Sequence, residues 1–307
     1  MKNKTLVYAT CLALTTALIS GFSNFLNKIA VTAIKNPIVF TTLKNIVVAV
    51  FIIGAILILK KLPEILSLNK KQIIKLILIG IIGGSLPFAL FFTGLIMTSA
   101  INASLIHKSL FIWVLILAIP LLKERISKMQ WLGIGAIFAA NLIIGGFTGF
   151  KYNTGELMIL AATILWAIEN IIAKIALKDI SSLTVAGARM AIGSLILLSF
   201  VFVKGGTSTM FSLNQTQWLW TLIPAVLLFG YVITWYAALK RAPVTYVAIL
   251  LVPATLITNV LSAIFITRAF TLTQFISAGL FIFGTIIVIF FAKKSVAIPQ
   301  SELEIVR

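Results

Sequence analysis

Charge and sulfur are scarce in this chain. Only 10% of its 307 residues are charged, and seven acidic residues face 25 basic ones. There is one cysteine, Cys11, so an intrachain disulfide is excluded. Its place in an apolar run fits a small packing or lipid-facing residue. One histidine and seven carboxylates leave little for a metal site, and neither a metal nor a resident cofactor is expected. Enzyme and pump signatures are missing as well. The sequence holds no HExxH, no GxSxG, no paired intramembrane aspartates and no Walker loop, so no catalytic residue can be named and no nucleotide-driven pump is indicated.

What the chain has in excess is apolar surface. Hydrophobic residues make up 61% and the mean hydropathy is +1.14. Soluble domains hold about 45–50% apolar residues. The composition therefore defines an all-α polytopic membrane protein with the lipid bilayer as its first partner. A net charge of +18 would suggest nucleic acid in a soluble chain. Here the basic residues are read as orientation signals, and no nucleic-acid partner is expected.

A helix crossing the hydrocarbon needs about 20 apolar residues. Ten segments qualify: 5–27, 38–59, 73–97, 101–121, 128–147, 155–177, 182–203, 217–239, 244–266 and 272–292. The start "MKNK" with its apolar run has some look of a cleavable leader, but the run is long and no A-x-A site ends it. With the N-terminus inside, 17 Lys and Arg residues fall on the cytoplasmic side. Four fall opposite: Lys35, Lys151, Lys204 and Arg268. This split predicts both termini in the cytoplasm of what reads as a prokaryotic plasma-membrane protein.

The chain is written twice. "NFLNKIA" (24–30) recurs as "NIIAKIA" (170–176), and "SLNKKQ" (67–72) as "SLNQTQ" (212–217). Lys44 falls opposite Arg189, and "QWLGIGAIF" (130–138) parallels "QFISAGLFIF" (274–283). All four pairs lie close to one offset. Each copy, 5–147 and 155–292, holds five spans, an odd number, so the second must enter the membrane from the opposite side. Two such inverted-topology repeats around a central cavity are the architecture of many secondary transporters. Residues 293–307 follow as a tail.

At this point the sequence resembles the EamA-like family of the drug/metabolite transporter superfamily. The resemblance is carried by "WAIENIIAK" (166–174), "LKER" (122–125), "YAALKRAPVTYVAILLVPATLI" (236–257) and the basic residue early in each second helix, Lys44 and Arg189. It implies a ten-helix basket whose cavity is lined mainly by helices 1, 3, 4, 6, 8 and 9. It also implies movement of small metabolites such as amino acids or toxic organic compounds, often outward. Two departures stand out. Pro253 supplies the family's fourth-helix proline in the second copy, but Leu110 occupies the equivalent place in the first. Glu124 has no acidic counterpart, since Thr267 and Arg268 stand there.

Intramembrane ionisable residues are functional hypotheses by default. Glu169 is the one deep carboxylate, about 5 Å from the middle of its span by helical rise. Its candidate partners are Lys108, Lys44 and Arg189. Two readings stay open: Glu169 binds a proton or a substrate ammonium, or it holds helices together as an ion pair. Asn24 and Asn170 are symmetry mates that either bond across helices or line a polar cavity. Asn102, His107 and Lys108 make the most polar stretch of helix 4 and cannot all face lipid. Lys44 and Arg189 either snorkel to headgroups or face inward, where with Lys108 they would favour an anionic or zwitterionic substrate. Lys28 and Lys174 are expected to snorkel. Trp166 and Trp235 are the favoured cavity walls among several aromatics that include Trp113 and Tyr236. The expectation is a secondary transporter of small solutes, a monomer or weak homodimer, with a proton as a candidate co-substrate at Glu169. A passive channel or facilitator is the alternative.

Overall fold

A computed structural model describes residues 2–144 and 153–295 of the chain. Among these residues there is no strand, and ten long helical segments dominate. We number them α1 (Lys2–Ile34), α2 (Pro37–Ile58), α3 (Lys70–Met97), α4 (Ala100–Lys108 continued by Leu110–Leu122) and α5 (Lys128–Ile144). The second set is α6 (Thr154–Ala176), α7 (Ser182–Val203), α8 (Gln215–Arg241), α9 (Val244–Thr267) and α10 (Leu272–Ser295). Nine are long and apolar enough to span a bilayer, and α5 is a shorter apolar helix over its described part. Residues 145–147 of the fifth predicted span, the loop charge Lys151 and residues 296–307 of the tail lie outside the described residues. The other boundaries fall within a few residues of the sequence reading, except α1, which runs seven residues longer than predicted at its C-terminal end.

Hydrocarbon offers no partner to a backbone amide, so each span closes its own hydrogen bonds as a helix. The ends are capped by side chains. Asn36 and Ser181, at equivalent places in the two halves, accept from the backbone N–H three residues on. Asn69 with Gln72 and Asn214 with Gln217 form reciprocal capping boxes at the starts of α3 and α8. The repeat extends to backbone conformation. Lys60 and Gly205 follow the second helix of each half with φ of 52° and 70°. Lys123 and Arg268 end the fourth helices with φ of 54° and 51°.

Packing exchanges helices between the halves. α1 lies against α8 and α9, and α6 lies against α3 and α4. α2 pairs with α7, and α5 pairs with α10. The outer faces carry exposed apolar residues such as Val50, Ile58, Leu195, Phe202 and Phe290, as lipid contact requires. Polar residues turn inward, and Lys44, Lys108, Glu169 and Arg189 are all buried.

Both fourth helices break, which the absence of a proline in the first copy did not lead one to expect. α9 breaks at Val252–Pro253, and α4 breaks at Ser109, 144 positions earlier. At Ser109 the hydroxyl donates to the Ile106 carbonyl at 2.6 Å, a local bond that competes with the helix ladder where no proline is present.

The two lysines expected to snorkel are instead clamps. Lys28 Nζ donates to the carbonyls of Leu95 and Thr98, at 2.6 and 2.8 Å. Lys174 Nζ donates to those of Leu239 and Ala242, at 2.6 and 2.7 Å. Each ammonium thus satisfies open carbonyls at the C-terminus of the third helix of its own repeat, where a cation is also favoured by the helix dipole. Lys174→Met is expected to lower stability by about 2 kcal/mol, the range of hydrogen bonds to a charged group. Thermal unfolding in detergent checks this. A loss no larger than that of the exposed Lys178→Met would count against the clamp.

Candidate functional site

Four residues of α1 share one face by helical spacing: Ser20, Ser23, Asn24 and Asn27. Their counterparts on α6 include Trp166, Glu169 and Asn170. Both faces meet at a central cavity between the repeats, about 60 Å³ in volume and lined by these seven residues among others. A water needs about 10–15 Å³ by this measure, so the cavity in this conformation admits a few waters and not a whole metabolite.

Glu169 is fully buried. Its Oε1 accepts a hydrogen bond from the Tyr236 hydroxyl of α8. Its Oε2 has no hydrogen-bond partner and lies 3.9 Å from Arg189 Nη1 of α7. Arg189 is itself spread over three groups. Nη1 donates to the Tyr236 hydroxyl at 3.2 Å, and Nε donates to the Gly83 carbonyl at 3.2 Å. The same carbonyl accepts Trp166 Nε1 at 3.0 Å. Gly83 can serve both because it sits in a π-helical turn of α3, Gly80–Ser85, the kind of widening that recurs at functional sites. It must also be glycine, since a Cβ there would come within 2.4 Å of Glu169 Cγ.

Of Glu169's predicted partners, only Arg189 is within ion-pairing distance. The bland expectation for Lys44 and Arg189, snorkelling, does not hold, because they are 1% and 4% exposed. Lys44 points into an aromatic cage. Its Nζ is 3.9 Å from the centroid of Phe92, 5.0 Å from that of Phe40 and 5.6 Å from that of Phe88. Asn27 Oδ1 adds a long contact at 3.4 Å. Phe88 is shared, because the Arg189 guanidinium lies 5.6 Å from the same ring. The ring faces offset part of the cost of holding these cations away from water.

Lys108 does not meet Glu169. It is buried behind the cavity wall, where Nζ donates to Ser20 Oγ at 2.7 Å. Asn102 is placed elsewhere altogether. It lies in the first turn of α4, and its Nδ2 donates to Glu156 Oε1 at 3.1 Å, away from the cavity lining. Helix 4 turns by about 100° per residue, so Asn102, five positions before His107 and six before Lys108, points to a different face from either. His107 does line the cavity, between the rings of Phe91 and Trp166 at centroid distances of 5.3 and 4.9 Å, and its Nδ1 is unpartnered.

Asn170 accepts from Trp235 Nε1 at 3.0 Å, and Trp235 stacks on Tyr231 at 5.9 Å. Asn24 donates to Ser104 of α4 at 3.4 Å. All of these except Ser104 line the cavity. Trp113, one of the aromatics considered from sequence, lies on another face of α4. Ser20, Ser23 and Asn27 went unrecognised from sequence, although their spacing with Asn24 was the available signal. The Tyr236 hydroxyl was read only as part of a wall. Among the described residues no group of His, Cys, Asp and Glu could hold a metal.

Two five-helix repeats, packed by mutual exchange around a charged central cavity, define an inverted-repeat integral membrane protein, an architecture found in many secondary transporters. The model of the EamA-like transporter family matches residues 7–146 and again 153–290, so the chain belongs to that family. It is similar over part of its length to an uncharacterized transporter of Methanothermobacter thermautotrophicus, 27% identical over 124 residues, or 38% of this chain and 36% of that one. It is also similar to the uncharacterized transporter YyaM of Bacillus subtilis, 32% identical over 135 residues, or 42% of this chain and 44% of that one. The matched stretches thus span less than half of either relative. A solved crystal structure superposes with a TM-score of 0.75 over 94% of this chain and 98% of the other, at 18% identity, a likeness of fold.

Proposed function

We propose that this chain is a secondary-active transporter of small organic metabolites, namely amino acids or related zwitterionic or anionic compounds. It works by alternating access between its two repeats, as a carrier and not an enzyme. The observation that carries the substrate class is the charge inventory of the cavity. Lys44 and Arg189 line it, Lys108 stands behind Ser20, and Glu169 is the one carboxylate among the described lining residues. Lys44 has no carboxylate within ion-pairing reach among the described residues. A substrate carboxylate would supply that partner, and an unpaired intramembrane charge is otherwise costly. The constricted cavity supports a cycle in which helices separate to admit the solute. Outward movement is the direction that the family resemblance implies, and the positive-inside pattern supports cytoplasmic termini. A proton on Glu169 Oε2, the oxygen without a hydrogen-bond partner, is the candidate coupling ion.

Counterflow in proteoliposomes preloaded with amino acids tests the reading. Saturable exchange is expected, with Lys44→Gln raising the half-saturation concentration at least tenfold, the loss of one charge-assisted contact. Glu169→Gln keeps its oxygen for Tyr236 and is expected to retain counterflow while losing accumulation driven by a pH gradient. Ion conduction without saturable exchange of any metabolite would establish a channel instead.

A further inference from the structure

A second cavity is larger than the central one. A groove of about 460 Å³ lies between α4, α5 and α6 and shares no lining residue with the central cavity. α4 separates the two, with His107 and Leu110 facing the centre and Ser109 and Trp113 facing the groove. Leu157 and Phe138, two groove residues, are 50% and 39% exposed in the apolar outer surface, so the groove opens toward the bilayer.

Its buried unsatisfied side-chain atoms are of one kind, acceptor oxygens. Glu156 is 3% exposed, its Oε1 is taken by Asn102, and its Oε2 has no partner. Asn141 is equally buried, its Nδ2 makes a long contact to the Leu105 carbonyl at 3.5 Å, and its Oδ1 has no partner. The Ser109 hydroxyl donates its hydrogen bond to the Ile106 carbonyl and has only lone pairs left to offer. No Lys or Arg among the described residues lines the groove. Buried acceptors without donors are costly, and a buried carboxylate more so. The missing partner must therefore donate protons and carry positive charge. Position along the helices adds its shape. Glu156 is in the first turn of α6, at the membrane boundary, while Leu160 and Trp113 lie further along their helices toward the midplane. A polar head at the boundary with an apolar tail running inward is the disposition of an amphiphile in a bilayer leaflet.

We propose that this groove is an accessory binding site for a bilayer-borne amphiphile with a primary ammonium head, held by Glu156 Oε2 and Asn141 Oδ1 with its chain against Trp113. Its occupant would press on α4 at the Ser109 break, opposite the central cavity. The site stands on its own groups and does not depend on what the central cavity carries.

Trp113 supplies the reporter. The full chain in phosphatidylcholine nanodiscs is titrated with 11-bromoundecylammonium, whose bromine quenches nearby tryptophan, and then with unbrominated undecylammonium or undecanoate as competitor. A saturable quenching component is expected, absent in Trp113→Phe and relieved by undecylammonium but not by undecanoate. Glu156→Gln retains an oxygen for Asn102 and is expected to weaken binding at least tenfold. Asn141→Leu, on a different helix, is expected to weaken it severalfold and keeps the proposal testable should the first variant fold poorly. Relief by undecanoate at the same concentrations, a component that persists in Trp113→Phe, or unchanged affinity in the folded variants would overturn the site.

Discussion

Arg189→Leu is expected to destabilise the protein by about 3–5 kcal/mol, the cost of leaving one member of a buried ion pair without the other. The variant strips Glu169 Oε2 of the one cation near it and removes donors from the Gly83 carbonyl and the Tyr236 hydroxyl. Arg189→Lys should fall between, because one ammonium cannot reproduce a planar fork that reaches three groups. Adding Glu169→Gln to Arg189→Leu removes the orphaned charge. The double variant is expected to be more stable than Arg189→Leu alone by about 2 kcal/mol, a coupling within the range for residues in contact. Unfolding titrations in mixed micelles measure all four corners of the cycle. A double variant destabilised by the sum of the two single losses would mean that Glu169 and Arg189 do not act as a pair.

The same cycle separates the two roles left open for Glu169. If the pair only joins α6 to α7, the folded double variant should still exchange substrate. If Glu169 binds substrate, that variant should fold and yet fail to exchange it; if it binds a proton, exchange should persist while accumulation driven by a pH gradient is lost. The 3.9 Å separation and the free Oε2 favour a substrate or proton role, because a purely structural pair gains most from a close, fully hydrogen-bonded contact.

Length and hydropathy were enough to place all ten helices, since a bilayer permits little besides a helix of fixed length. The repeat was equally legible, and its traces reach detail that sequence matching does not touch, such as the left-handed residues Lys60 and Gly205 at equivalent helix ends. Side-chain direction was the harder part. In sequence Lys28 and Lys174 read as snorkelling cations, Lys44 as snorkelling or inward-facing, and Lys108 as a candidate partner of Glu169. The structure gives them three different partners: carbonyls for Lys28 and Lys174, rings for Lys44, and a hydroxyl for Lys108. Which one a lysine finds depends on the neighbouring helix, and nothing local encodes that. Asn102 and His107 diverged for a simpler reason, as helical rotation sends them to different faces. Tyr236 needed the fold itself, because Glu169 and its hydroxyl are 67 positions apart.

Glycine patterns show the same limit and yield the second large effect. Gly80-x-x-x-Gly84 and Gly135-x-x-x-Ala139 look equivalent as close-packing motifs. They are not. A Cβ on Gly84 would sit 2.0 Å from the Arg189 carbonyl oxygen, and one on Gly193 would sit 2.3 Å from the Gly84 oxygen, whereas one on Gly135 meets nothing within 4 Å. Backbone presses on backbone where α3 crosses α7, so no side-chain rotation relieves the clash, and the helices must move apart by more than an ångström to reach ordinary contact. Gly84→Ala is therefore expected to cost about 3 kcal/mol, the upper end for overpacking. It should also abolish exchange, because shifting α3 carries the Gly83 carbonyl away from Arg189 and Trp166. Gly135→Ala is expected to leave both stability and exchange unchanged, or to stabilise by a few tenths of a kcal/mol through helix propensity. Equal behaviour of the two alanine variants in unfolding and counterflow would show that the α3–α7 crossing does not hold the site together.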